Sequence, residues 1–243
     1  MVGQVREIRV AFQTTLVPCR RRKQMVIFRS IARGSIAAFA AVLIQPAPVI
    51  AADAPTTIIV LGDSLVSGNG LLLKEKFSAR LQAALDAAGR AVKVDHPGYV
   101  HDSKWGLEWM TDAKGKALLA APERHAVILE LGSNDCPGLS TDNTRANLES
   151  ILGKLAEKKI PTLLVGSTAS TWCDPKYIAE FPKIFPDLAD RYGAVLYADF
   201  RDGVAGHPDL LQGDGDHPNT AGEAIVVERM LPSVLKLLDR VAK

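Results

Sequence analysis

The chain has 243 residues, 47% of them hydrophobic and 23% charged, which allows a sizeable core and excludes a disordered or low-complexity protein. Its formal net charge of +2 averages two unlike parts: residues 1–51 hold eight Lys/Arg and one acid, leaving 21 bases against 26 acids after them. The larger part is therefore mildly acidic, which argues against the basic surface a nucleic-acid binder needs to neutralise phosphates.

From Met25 the chain reads as a secretory signal. Arg29 and Arg33 form a basic region, residues 36–44 an unbroken apolar run, and Val49-Ile50-Ala51 a small-residue cleavage site. Nine apolar residues fall short of the roughly 20 that a membrane span requires. Cleavage near Ala51 divides the chain into an N-terminal extension with its signal peptide, residues 1–51, and a mature unit, residues 52–243. The mature unit is expected in the periplasm or outside the cell, without a stable membrane anchor.

The β-branched run at 57–61, closed by Gly62, predicts a buried strand. Phe77, Leu81, Ala84, Leu85 and Ala88 recur at helical spacing up to Gly89. Strands are expected at 91–94, 126–131, 161–166 and 194–197, and Leu148, Ile151, Leu152 and Leu155 mark a helix face. Val227, Met230, Leu231, Val234, Leu235 and Leu238 line one side of a last helix, for which Thr220 and Glu223 can form a capping box. Strands alternating with helices imply a mostly parallel sheet covered on both faces, with the ligand site beyond the carboxyl ends of the strands.

Polar clusters fall at those ends: residues 62–65, 98–106, 132–135 and 214–219. Ser64 directly follows the first strand, but a serine hydroxyl is a weak nucleophile without a base to take its proton. His217 is the leading base, since Asp214, three residues earlier, can hold one ring nitrogen while the other faces Ser64. Asn134 offers a side-chain N–H that, with the Ser64 backbone N–H, can hold a developing oxyanion. Each cluster alone is ordinary turn chemistry; their joint order at strand ends is the specific signal. Other motifs fail on particular residues. Leu73 stands where a dinucleotide loop needs its third glycine, and no Gly-x-Ser-x-Gly occurs. A calcium loop beginning at Asp214 has Ile225 in place of its final glutamate.

Together the clusters resemble the SGNH hydrolases, the GDSL family of esterases and lipases, over nearly all of residues 56–240. The similarity is greatest to the bacterial periplasmic arylesterase, thioesterase and lysophospholipase branch. Gly-Asp-Ser-Leu-x-x-Gly matches 62–68, Glu-Leu-Gly-Gly-Asn-Asp matches 130–135 except at Ser133, and Asp-Gly-Ile-His-Pro matches 214–218 except at Asp216. The resemblance implies an α/β fold, a three-layer α/β/α sandwich with a flavodoxin-like, mostly parallel five-stranded sheet. It implies Ser64 as nucleophile, His217 as base, Asp214 as the acid orienting it, and Asn134 as a side-chain oxyanion donor. It implies no metal or cofactor.

The second family block, Asn-Ala-Gly-x-Ser-Gly-Asp-Thr, is altered: residues 96–103 put His101 where the oxyanion glycine belongs. A backbone N–H survives any substitution but proline, so His101 remains the third donor if its conformation suits a residue with a Cβ. Asp216 is expected to face solvent from its tight turn; turned inward it would raise the pKa of His217. Cys136 and Cys173 are free to pair in an oxidising compartment. The family fold opens their loops at the same end of the sheet, and two separate buried thiols are the alternative. Trp105, Trp109 and Trp172 lie near site-forming loops. They are expected either in the core or as an apolar wall for an acyl or aryl group, with Trp105 and Trp172 the pocket candidates. His96, His125 and His207 are expected to be structural or exposed.

The expected function is an exported serine ester hydrolase for small carboxylic esters or thioesters, lysophospholipids included. A carbohydrate O-deacetylase is the alternative within enzymes. A catalytically weak SGNH-like domain that binds glycan or lipid is the alternative outside them.

Overall fold

The computed structural model describes residues 56–241 apart from 123–124, 137 and 171. The signal segment, its cleavage site and the boundary after residue 51 lie outside the described residues.

Five strands, β1 (Thr56–Gly62), β2 (Val92–Asp95), β3 (His125–Glu130), β4 (Thr162–Val165) and β5 (Val195–Tyr197), form one sheet in the order β2-β1-β3-β4-β5. Every pairing is parallel. Between them run α1 (Ser64–Ser67), α2 (Phe77–Ala87), α3 (Ser103–Trp109), α4 (Ala113–Ala120), α5 (Thr141–Glu157) and α6 (Pro175–Tyr192), and α7 (Thr220–Leu238) follows β5.

The central strands read as continuous apolar runs because both their faces are covered. Ile58, Val60, Ala126, Ile128, Leu163 and Val165 point to one side, into a core closed by Phe77, Leu81 and Leu85 of α2 and Val226, Met230 and Val234 of α7. Their neighbours Ile59, Leu61, Val127, Leu129 and Leu164 point to the other, against Leu148 and Ile151 of α5 and Phe181 and Phe185 of α6. Two cores, one on each face, make the three layers.

The expected capping box of the last helix is replaced by another cap. Asn219 accepts the N–H groups of Ala221 and Gly222, so Thr220 is the first helical residue. Glu223 faces inward and is fully buried, its carboxyl oxygens without a hydrogen-bond partner among the described residues. From β1 the chain goes outward to β2, then returns on the other side of β1 as β3. Connections therefore diverge past the carboxyl ends of β1 and β3, which opens a crevice there.

Candidate active site

Ser64 enters that crevice from the end of β1. Asp63, wholly buried, caps α1 by accepting the Leu65 N–H at 3.0 Å, and this fixes the turn that projects Ser64. Under the turn Asp63 also accepts from the Ser133 hydroxyl, and its own N–H lies 3.4 Å from the Glu130 carboxyl. Burial pushes both carboxyls up, Glu130 well above the ordinary range because the Asp63 charge adds to its desolvation. The substitution at Ser133 does not break the loop; it adds a donor to Asp63.

His217 arrives from the opposite end of the chain. Its Nε2 lies 2.8 Å from Ser64 Oγ and its Nδ1 2.7 Å from Asp214 Oδ2. The loop builds its own geometry, since Asp214 Oδ1 also accepts the N–H groups of Asp216 and His217 at 2.9 and 3.0 Å. Partial burial works against the Asp214 charge. The two backbone donors and the imidazole outweigh it and hold the carboxyl below its usual range. A hydroxyl proton can pass along this chain to an imidazole whose positive charge the carboxylate offsets.

Asn134 and His101 meet across the crevice. Asn134 Nδ2 donates to the His101 carbonyl at 2.9 Å, and an amide nitrogen has a second N–H to give. The N–H groups of Ser64 and His101 have no acceptor among the described residues. Lys159 is the one non-glycine described with positive φ, so His101 does not need the left-handed backbone that favours glycine. Its imidazole turns outward, 3.3 Å from Asp102, between the rings of Tyr99 and Trp105.

Asp135, which the sequence reading passed over as turn chemistry, joins these two loops. Its buried carboxylate accepts the Ser103 N–H at 2.8 Å and the hydroxyls of Ser103 and Thr144. Gly132 shapes the same loop: its φ is +110°, and a Cβ there would come within 2.9 Å of Phe181.

Asp216 has an unexpected partner. Its side chain does not turn to His217 and stays 46% exposed, as expected, but it also pairs with Arg201 of the loop after β5. Arg201 also donates to Thr168 Oγ1 at 2.6 Å. The only sign of this pair in the sequence was an acid where the resembled family has an apolar residue.

A cavity of about 20 Å³ lies beside Ser64 and Asn134, and Trp172 forms part of its wall. Trp105 does not line it. Neither is a core residue, at 61% and 52% exposed, whereas Trp109 packs on the core. Cys136 and Cys173 are joined as a disulfide, with Cα atoms 5.8 Å apart, between the loop carrying Asn134 and the loop carrying Trp172. His96 bridges the Val60 carbonyl and the Ser67 hydroxyl, each at 3.0 Å, as a structural histidine does.

Comparison with known proteins identifies the family. The model of the GDSL-like lipase/acylhydrolase family matches residues 60–225. Esterase TesA of Pseudomonas aeruginosa is 30% identical over 187 residues, 76% of this chain and 90% of that one. The thioesterase 1/protease 1/lysophospholipase L1 of Escherichia coli K12 is 27% identical over 77% of this chain and 88% of its own. The crystal structure of the psychrotrophic esterase EstA from a Pseudoalteromonas species, inhibited by monoethylphosphonate, superposes with a TM-score of 0.67 at 27% identity, covering 76% of this chain and 99% of that one. With its strand order and its family model in agreement, the chain belongs to the GDSL-like lipase/acylhydrolase family and is a hydrolase of ester bonds.

Proposed function

We propose that the protein cleaves small carboxylic esters or thioesters by an acyl-enzyme route in which Ser64, His217 and Asp214 form the triad. The observation that carries this reading is the unbroken hydrogen-bond chain from Ser64 Oγ through His217 to Asp214, at 2.8 and 2.7 Å. Ser64 Oγ attacks the carbonyl carbon as its proton passes to His217 Nε2. The oxyanion is held by the N–H groups of Ser64 and His101 and the free N–H of Asn134. His217 then protonates the leaving oxygen or sulfur as its bond to carbon breaks. Water, deprotonated by His217, attacks the acyl-enzyme and releases the acid. Thioesters belong within the scope because a relative is named as a thioesterase.

Residues 52–243 are read as the hydrolase domain, and residues 1–51 as an extension with a signal peptide that exports it to the periplasm or beyond. Among the described residues no helix is long and apolar enough to cross a membrane.

Ser64→Ala tests the triad on an activated aryl ester. It should retain less than about a hundredth of the wild-type rate, since losing a nucleophile normally costs far more. It should also escape labelling by a fluorophosphonate that captures the wild type. A variant that kept its rate would overturn the assignment.

A further inference from the structure

The cavity beside Ser64 is small and mostly polar. Its far wall is built by Ser167, Thr168, Ser170, Trp172, Arg201 and Asp216. At about 20 Å³ it has room for roughly one water-sized group. His217 does not line it. The leaving atom must lie within reach of His217 Nε2 to be protonated, so the leaving group departs on that side and the acyl substituent takes the cavity. This assignment rests on the triad proposed above.

Arg201 decides the depth of that cavity. Its side chain is only 11% exposed, although it carries a full charge. One nitrogen pairs with Asp216 and another donates to Thr168, so a single guanidinium ties together the loops after β4 and β5 and the loop holding Asp214 and His217. An alkyl chain lengthening into the cavity would have to part the pair and leave a buried charge without its partner, which is far costlier than moving an apolar side chain. The acid at 216, where the resembled family carries isoleucine, and the arginine that meets it thus make one polar stop.

We propose that the Arg201–Asp216 pair is a specificity-determining gate that confines the enzyme to acetyl-sized acyl groups. Leaving groups are not restricted by it, because they lie on the other side of Ser64.

The test compares kcat/KM for p-nitrophenyl acetate, butyrate and octanoate. The wild type should prefer acetate, with kcat/KM falling along the series. In the double variant Arg201→Leu/Asp216→Ile, which removes both charges together, the octanoate-to-acetate ratio should rise by about tenfold or more, the scale of one methylene accommodated in a pocket. Arg201→Lys, which keeps a cation opposite Asp216, should retain the acetate preference. A wild type that hydrolyses octanoate as well as acetate overturns the gate, and needs no variant to fold. A folded double variant whose ratio is unchanged, or which loses turnover on every ester alike, also overturns it; the uniform loss would make the pair a support for the catalytic loop. Fluorophosphonate labelling of wild-type Ser64 keeps the two readings apart. Label and turnover with a flat chain-length profile sink only the gate, whereas no label and no turnover sink the triad on which it rests.

Discussion

At the residue scale, His101 separates what a backbone does from what a side chain does. Its imidazole pairs with Asp102 at 3.3 Å, while its N–H has no acceptor among the described residues. His101→Gly should therefore keep ester turnover, and His101→Pro, which deletes the N–H, should lower kcat by about 10²–10³. Equal severe losses in His101→Gly and His101→Ala, measured on one aryl ester, would mean that the imidazole takes part. The sequence marked Ser64 and Asn134 as candidates because each falls at a strand end within a short motif, and Asp214 and His217 because they share one turn before the last helix. It could not reveal that Asp216 meets Arg201, since a pair 15 residues apart has no periodicity to announce it. Only the odd acid at 216 marked a position in need of a partner.

At the scale of elements, the loops after β3 and β2 are held by Asp135. Asp135→Ala would strip the acceptor from Ser103 and Thr144, and an orphaned buried donor costs about 1–3 kcal/mol. The urea midpoint should fall, and kcat with it, because Asn134 and His101 flank this clamp. An unchanged midpoint would show that the clamp does not matter. The Cys136–Cys173 bridge fastens the same loop to the wall carrying Trp172. A loop of this length is worth about 3–4 kcal/mol in the chain-entropy model. Cys136→Ser/Cys173→Ser should unfold at lower denaturant than the oxidised wild type and match the reduced wild type; equal midpoints for the oxidised protein and the variant would remove the bridge from the stability account. The strands were legible from their apolar runs, but α6 was not. Pro182 and Pro186 would break an isolated helix, yet both lie on its exposed side. Tyr177, Phe181, Ile184, Phe185 and Leu188 face the core and keep the helix in place, so tertiary burial outweighs the missing backbone donors.

For the whole molecule, pH dependence of stability should centre on Glu223, buried in the first turn of α7. Desolvation raises its pKa from 4.5 to about 8, against a smaller opposing effect of Arg80. The folded value lies above the unfolded one, so the contribution of Glu223 is fully present below about pH 4.5 and is lost as pH rises through about 8. Glu223→Gln cannot ionise. Its melting temperature should drop less between pH 5 and pH 9 than that of the wild type, and identical drops would place the sensitive group elsewhere. The sheet order followed from the resemblance together with the strand runs, whereas the inward turn of Glu223 did not. A glutamate three residues into a helix looks like a cap in one dimension and becomes a buried acid only when α7 docks.

The order of the chain has a temporal consequence. Ser64 leaves the first strand, but its hydrogen-bond partner His217 lies 153 residues later, just before the last helix. Nearly the whole domain must be made and packed before Ser64 and His217 can meet, so a nascent polypeptide carries the serine without the partner it is proposed to use. Hydrolysis is then an end-point of folding. In a refolding time course, ester turnover should return with or after amide protection of α7; turnover that recovered while α7 still exchanged freely would show that the base is in place before its helix.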